Sequence, residues 1–585
     1  MNIWIVKKGE DSFTQSYINN SVEVTKDIDQ LKNKNIFQKT FDKFHLLSIY
    51  TDYEYCQKKY IQVKEKEVFG YSGLIIDNTS ELSDLRDVVN VKINNMNSYS
   101  GQYAIFEISN NEFKCRVDNL GFHKVFYFSH KKDIYVTNSI ELLGATGLLK
   151  PNIEQVLLDL MTSRFGIYPG NNTLFEDVYM LPEYGEVLIN NDNLEVNNYK
   201  SIDEILDSNQ SFEKQLEVAI NEYKESAKYL RKYHYTVIPL SGGFDGRLIL
   251  SFFNETNGLP LETMTYNRAG GKLDFYIAGK LSKKFNVAHK KIRIPTKLID
   301  FKMEVPEFQN SKNDPFTNAF NKSLEGFYET NNCFKVSLGG NGADTDWEFG
   351  EKFLKKLNNS NFKSFIEDYC KLITKHPLIK EELSQRLAIK LEKYFKKKYI
   401  SFKNKDNFIQ LLGSAFFHLE RFRGRQGFIY SQNSNKTHDV FAPFATESFN
   451  KLVYLANKNQ LQRGLKEGIN YRIYNCMTNG EVHWAPILTA KNQFGNNPIQ
   501  RLLNRIFPLI PKIIWKLQNG DTNTRLRKGF KSKINDLSKE YILNNTESNL
   551  FDYLQENKIK EDLEVNNYRG QYNSIASILK FINNN

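Results

Sequence analysis

The chain has 585 residues, 40% of them hydrophobic and 25% charged, with a formal net charge of +11. That balance argues against a disordered chain and predicts a soluble globular protein of more than one domain, long enough for substantial cores. Cys56, Cys115, Cys333, Cys370 and Cys476 are too widely spaced for a disulfide framework or a zinc knuckle, which points to a reducing compartment. No apolar run is long enough to span a bilayer and residues 1–10 carry no cleavable apolar core, so a cytoplasmic location is expected.

Residues 1 to about 200 alternate short β-type runs with turn residues, as in 185–191, the pattern of an antiparallel α+β layer structure. A polar stretch over 197–211 predicts a linker. From Phe212 the chain reads as helix, strand, loop, helix. A long helical carboxyl-terminal half follows, with segments at 362–374 and 379–394 separated by Pro377. No internal repeat is apparent, and the Asn- and Lys-rich patches are compositional.

Val237-Ile238-Pro239-Leu240 runs into Ser241-Gly242-Gly243-Phe244-Asp245-Gly246-Arg247 and leaves through Leu248-Ile249-Leu250. This is the sequence form of a strand, a phosphate-cradling loop and a helix. Glycines let the backbone approach an anion, and the N–H groups at the helix start face it with the dipole behind them. Asp245 adds a hard oxygen ligand for the magnesium that accompanies a polyphosphate. The alternative is a glycine-rich turn that binds nothing. A second apolar run, Phe334-Lys335-Val336-Ser337-Leu338, enters Gly339-Gly340-Asn341-Gly342-Ala343-Asp344. Neighbouring strands of an open α/β sheet share one crevice at their carboxyl ends, so Asp245 and Asp344 are expected around one metal.

The two loops, in this order and spacing, resemble the asparagine synthetase family, which includes the β-lactam synthetases and lasso-peptide cyclases. Met264-Thr265-Tyr266-Asn267 and the stretch 274–289 look like that family's second strand and following helix. Gly101-Gln102-Tyr103-Ala104-Ile105-Phe106, Val117-Asp118-Asn119-Leu120-Gly121 and Thr173-Leu174-Phe175-Glu176-Asp177-Val178 resemble landmarks of its amino-terminal domain, and Phe441-Ala442-Pro443-Phe444 takes the place of its Pro-Phe-Leu-Asp segment.

The resemblance implies two domains. Residues 1–205 would form a degenerate class II glutamine-amidotransferase-like (Ntn-type) sandwich. Residues 212–585 would form an α/β synthetase domain similar to the adenine-nucleotide-α-hydrolase (PP-loop ATPase) fold, with a helical carboxyl-terminal half. It implies ATP and magnesium as cofactors, with Leu240, Ser241, Gly242, Gly243, Asp245, Gly246, Arg247, Thr265, Gly339 and Gly340 around the nucleotide and Asp245 and Asp344 on the metal. The implied reaction adenylates a small-molecule or peptide carboxylate, releases pyrophosphate and passes the acyl group to an amine.

The chain departs from the glutamine-dependent members. It begins Met1-Asn2-Ile3, so the nucleophilic cysteine is absent and thiolate attack is excluded there. Leu74 stands where the family holds the glutamine amino group with an acid, and Ser100 removes a second acid. A buried ammonium without a carboxylate partner is costly, so the sandwich is expected to be a shell without glutaminase activity, with Cys56 and Cys115 as core residues. In the synthetase half, Gly246 replaces a loop serine and Asn341 replaces the residue tied to amine transfer. Thr345 replaces the acid after Asp344, with Asp346 or Glu348 as substitutes, and Lys466 or Arg472 is left to supply a phosphate-contacting charge.

Glu420-Arg421-Phe422-Arg423-Gly424-Arg425 is a further candidate. On a helix Arg421 and Arg425 share a face at i, i+4 and meet a phosphate or carboxylate, with Glu420 as base; a solvated helix face is the alternative. Asn341, Glu420 and Arg421 thus form the catalytic set. His483-Trp484 reads as satisfied core ahead of a substrate pocket. Residues 501–533 concentrate basic charge interleaved with apolar residues. They fit solvated surface, substrate steering or peripheral contact with anionic surfaces better than specific nucleic-acid binding. Three readings stay open: a glutamine-independent amide-forming enzyme, an ATP-binding protein without transfer chemistry, and an enzyme using free or externally supplied ammonia.

Overall fold

The computed structural model describes residues 2–24, 34–51, 60–64, 66–77, 99–109, 111–163, 165, 167–191, 193–201, 204, 210–241, 244–254, 256–266, 271–292, 335–339, 361–405, 408–427, 439–461, 467–477, 536–564 and 571–584. Two antiparallel six-stranded sheets come first. One has the order β10-β8-β9-β1-β3-β2, built from β1 (Asn2–Lys8), β2 (Lys34–Phe41), β3 (Phe44–Thr51), β8 (Phe126–His130), β9 (Asp133–Thr137) and β10 (Val178–Met180). The other has the order β12-β11-β7-β6-β5-β4, from β4 (Ile61–Val63), β5 (Val68–Asp77), β6 (Tyr99–Ile108), β7 (Glu112–Val117), β11 (Gly185–Asn190) and β12 (Asn193–Asn198).

The period-two alternation of these strands sorts the side chains into layers. Trp4, Val6 and Leu46 meet Ala104, Phe106, Phe113, Cys115 and Val187 between the sheets. The alternate residues Ile3, Ile5, Leu47 and Ile49 face outward onto helices, among them α1 (Gln15–Val24), α2 (Ile140–Gly144) and α3 (Ile153–Ser163). Within the second sheet Gly70 lies opposite Phe106 across β5 and β6, and a Cβ there would stand 2.1 Å from the Phe106 ring.

Helix α4 (Phe212–Tyr233) starts at Ser211, whose hydroxyl accepts from Lys214 N, and ends with Arg231 and Lys232 in its last turn. Its buried stripe, Leu216, Ala219, Ile220, Tyr223, Ala227 and Leu230, joins the outer face of β5 and β6 in one core with the next sheet. That sheet is parallel, with order β15-β14-β13-β16-β17: β13 (Tyr235–Pro239), β14 (Leu261–Tyr266), β15 (Ala288–Ile292), β16 (Lys335–Leu338) and β17 (Val440–Phe441). Helix α5 (Phe244–Asn254) follows β13, and α6 (Gly271–Lys284) follows β14.

The carboxyl-terminal half is helical. Helix α7 (Phe362–Thr374) has the span read from the sequence and is capped by Asn361, which accepts from Ser364 N. Helix α8 (Glu381–Lys398) starts two residues later than expected, because Ile379 forms a bridge with Leu554 and Lys380 N donates to Tyr553 O. It runs on through Lys396, Lys397 and Lys398, cations that favour a helix carboxyl end. Helix α9 (Phe408–Ala415) continues into a π-helix, Phe416–Gly427. Helices α10 (Glu447–Leu455), α11 (Ile469–Met477), α12 (Glu556–Glu564) and α13 (Gln571–Asn584) follow. Helices α7 and α8 share a core with α3 and the outer face of the first sheet. Among the described residues, no helix is long and apolar enough to cross a membrane.

Candidate functional site

Strand β13 pairs in parallel with β14 on one side and β16 on the other, with Val237 opposite Ser337. The carboxyl ends of β13 and β16, which lead into the two glycine loops, therefore lie side by side. They are also where the strand order reverses, since β14 and β15 extend the sheet one way and β16 and β17 the other. Open parallel sheets bind ligands in the crevice outside that reversal.

Each loop is anchored by its neighbour. Leu240 N donates to Met264 O at 2.7 Å, and the Leu240 carbonyl accepts the buried Thr265 hydroxyl at 2.6 Å. Thr265, expected among the nucleotide contacts, thus spends its proton on the mouth of the loop. The Leu240 side chain is buried in the core, and Ser241 is exposed. Asp245 is half-buried in the first turn of α5, the end of a helix where the dipole favours negative charge. Arg247 is buried. Gly246 has a packing reason: a Cβ would stand 3.2 Å from both Pro239 O and Leu240 Cδ1. In the second loop Gly339 N donates to Phe441 O at 2.8 Å, so β17 fixes its first residue.

Gly242, Gly243, Gly340, Asn341, Asp344, Thr345, Asp346, Glu348, Lys466, His483, Trp484 and the basic stretch 501–533 lie outside the described residues, as does the side chain of Arg425. Among the described residues no group of three or more His, Cys, Asp or Glu side chains is arranged to hold a metal.

Glu420 is not placed as a solvent-reachable base. Its side chain is 0% exposed; Oε1 accepts from Tyr399 Oη at 2.6 Å, Lys398 Nζ at 3.0 Å and Tyr394 Oη at 3.3 Å, and Oε2 from Gly170 N at 3.4 Å. Lys398 also pairs with Glu183 at 2.8 Å, and Arg423 with Glu183 at 3.3 Å. Arg423 further donates to Asn171 Oδ1 and Leu181 O, so the cluster ties the sandwich to α8 and the π-helix. Burial acts to lower the Lys398 pKa, but Glu183 and Glu420 outweigh it and hold the ammonium well above its ordinary value. The same cations keep the Glu183 carboxyl below its ordinary value against burial. Arg421, the other expected catalytic side chain on the π-helix, is half-buried and close enough to Tyr369 to act on its hydroxyl electrostatically. Arg472 is committed to a two-pronged pair with Glu213 and lies over the Phe212 ring at 5.4 Å. Sequence reasoning passed over Glu183 and Lys398 and gave Arg423 no role of its own within its cluster, because their pairing leaves no local periodicity or motif to read.

In the sandwich, Asn2 is buried with both ends of its amide engaged: Nδ2 donates to Tyr71 O at 2.9 Å, and Oδ1 accepts from Ser48 Oγ at 2.5 Å. Leu74 is buried opposite Gln102 in the β5–β6 ladder. Cys115 is buried between the sheets, and burial pushes its thiol well above the ordinary range. Cys370 is likewise buried and raised, Cys476 is exposed, and Cys56 and Cys333 lie outside the described residues.

No protein-family profile matches the chain, and no curated protein matches it. Among solved structures, the chain is similar to a glutamine phosphoribosylpyrophosphate amidotransferase from B. subtilis complexed with ADP and GMP (8% identity, TM-score 0.24, covering 57% of this chain and 95% of that one). It is also similar to an allosteric regulatory enzyme of purine biosynthesis (10%, 0.24, 50% and 80%) and to a U34-tRNA thiolase from Methanococcus maripaludis with its 4Fe-4S cluster (11%, 0.20, 55% and 79%). Likeness this slight carries no argument about fold or function. The chain's own topology defines a mixed α/β protein in which an antiparallel sandwich packs on a parallel sheet.

Proposed function

We propose that the chain is an ATP-dependent enzyme forming carbon–nitrogen bonds, with its nucleotide in the crevice between the carboxyl ends of β13 and β16. The observation that carries this reading is the adjacency of two parallel strands, each leading into glycines, at the sheet's reversal, with the amino end of α5 at the first loop. In this reading residues 212–585 form a PP-loop-like synthetase domain and residues 1–205 an Ntn-type shell, and the protein works in the cytoplasm.

The chemistry proposed is attack of a substrate carboxylate on the α-phosphate of ATP, departure of pyrophosphate toward the Ser241–Gly243 loop, and displacement of AMP by an amine. Asp245 is a hard carboxylate beside that loop and fits a magnesium ion, with Asp344 as its proposed partner. Bound there, magnesium supplies charge neutralisation for the phosphates. The chain's own part is to cradle the phosphates with loop N–H groups and to hold Leu240 and Gly339 in place through Thr265 and Phe441. The locked amide of Asn2 supports a sandwich without glutaminase chemistry, so the amine comes from the substrate, a second substrate or free ammonia.

Exchange of labelled pyrophosphate into ATP, run across carboxylic acids with and without ammonium salts, tests the reading; an expected positive acid shows exchange that D245N abolishes. A wild-type protein that fails to bind ATP with magnesium ends it. The departures at Gly246, Asn341 and Thr345 favour a second reading, a nucleotide-binding protein without transfer, for which ATP binds tightly and no acid supports exchange.

A further inference from the structure

Strand β17 is the edge of the parallel sheet, and its inner side is used by β16: Ser337 N donates to Asp439 O at 2.9 Å and Gly339 N to Phe441 O at 2.8 Å. Backbone groups alternate along a strand, so the Val440 carbonyl and the Ala442 N–H point to the free edge. Both are taken by one side chain of the sandwich. The Gln102 amide faces both groups, and its nitrogen is assigned toward Val440 O because only that orientation sets a donor against the carbonyl and an oxygen, at 3.2 Å, against Ala442 N; it then bonds the carbonyl of one residue and the N–H two residues on. That is the pairing a sixth parallel strand would make, here supplied by a single amide. Gln102 is buried, and its own strand position is fixed by the β5–β6 ladder, where it faces Leu74. Its neighbour Gly101 adopts φ +114, and a Cβ there would stand 2.1 Å from Leu74 O, so the close ladder at this point requires glycine.

We infer that Gln102 is a positioning residue through which the sandwich sets the second glycine loop. The route is short and continuous: the Gln102 amide holds Val440 and Ala442, and Phe441 between them holds Gly339 N. It gives the sandwich a task that needs no nucleophile, and it makes the sandwich and the crevice parts of one hydrogen-bonded structure. Coupling of this kind is reciprocal, so a ligand that binds beside Gly339 also tightens the seat of Gln102.

The test is hydrogen exchange on the full-length protein, comparing wild type with Q102M, which keeps length and apolar volume and removes both amide groups. Amides in 335–339 and 439–442 are expected to exchange about tenfold faster or more, because two buried peptide groups lose their partners. Strands β1 and β3 and helices α7 and α8 are expected to keep wild-type protection. Should Q102M fail to fold, Q102L serves: it too removes both amide groups from the buried site, and the same two segments are expected to loosen. Unchanged exchange in 335–339 in a folded variant overturns the inference. A second arm rests on the nucleotide reading: binding of ATP with magnesium is expected to weaken about tenfold in Q102M, in line with the exchange change. Equal affinity beside loosened strands would reduce Gln102 to an edge cover and overturn the positioning role. Wild-type protein without ATP binding ends the nucleotide reading and leaves the clamp to be decided on exchange alone.

Discussion

Replacing Lys398 with Met probes the buried ion cluster most directly. Side-chain exposures are 12% for Lys398, 0% for Glu420, 4% for Glu183 and 3% for Arg423, and the four charges balance two against two. K398M keeps most of the side-chain volume and removes one cation, leaving two carboxylates beside Arg423 alone. Breaking a buried pair from one side costs about 3–5 kcal/mol, because the partner keeps its desolvation penalty without compensation. The exposures are low enough that solvent screening takes little from that figure. For a chain of this size, unfolding is not a single two-state step, so the readout is the apparent thermal midpoint of the transition that includes the sandwich–helix interface. A fall on the order of 10 °C is expected. The double variant K398M/E420Q restores neutrality, and its loss is expected to be smaller than the two single losses combined, with a coupling of about 0.5–3 kcal/mol. A K398M midpoint within about 2 °C of wild type, or strict additivity in the double variant, would refute the reasoning. E420Q also separates the two roles weighed for Glu420: a buried acceptor predicts lost stability with unchanged pyrophosphate exchange per folded molecule.

The remaining predictions address other parts of the molecule. His418 is buried, and burial pushes its pKa down from 6.5 to about 4. A histidine held neutral takes its proton only on unfolding, so this contribution is fully present above about 6.5 and is lost as pH falls toward about 4. Relative to H418F, wild type is expected to lose about 3 kcal/mol across that window, measured by urea titration at several pH values; parallel curves would remove the claim. T265V leaves the buried Leu240 carbonyl without its donor and is expected to cost about 1–3 kcal/mol and to weaken ATP binding; unchanged stability would show the carbonyl re-partnered. D245N and D344N are each expected to abolish magnesium-dependent pyrophosphate exchange with a native far-ultraviolet spectrum, and full turnover in both removes the metal assignment.

Local chemistry made much of this legible. Helix α7 could be read to the residue because Asn361 caps it and Phe362, Phe365, Ile366, Tyr369 and Ile373 keep a helical stripe. Strand β16 was visible as a short apolar run ending in glycine, and the alternation over 185–191 resolves as β11, whose residues alternate between buried and partly exposed. Helix α8 was seen but misplaced at its start, since the bridge of Ile379 to Leu554 joins residues far apart in the chain. The sites fared unevenly for the same reason. The glycine loops announce themselves by composition, whereas Glu420 beside arginines looks the same on a surface or in a core, and the contacts that settle it come from Gly170, Lys398 and Tyr399.

The residue order by itself determined the elements and the loops between them, because caps, periodicity and glycine act within a few residues of chain. Only the tertiary structure decided that β13 and β16 are neighbours, that Thr265 serves the loop rather than facing outward, that Glu420 joins a buried ion cluster, and that Gln102 completes the edge of a sheet to which it does not belong. Those outcomes depend on which distant surfaces meet and exclude water. A buried polar group takes whatever partner the packing brings to it, and nothing in its own neighbourhood along the chain names that partner.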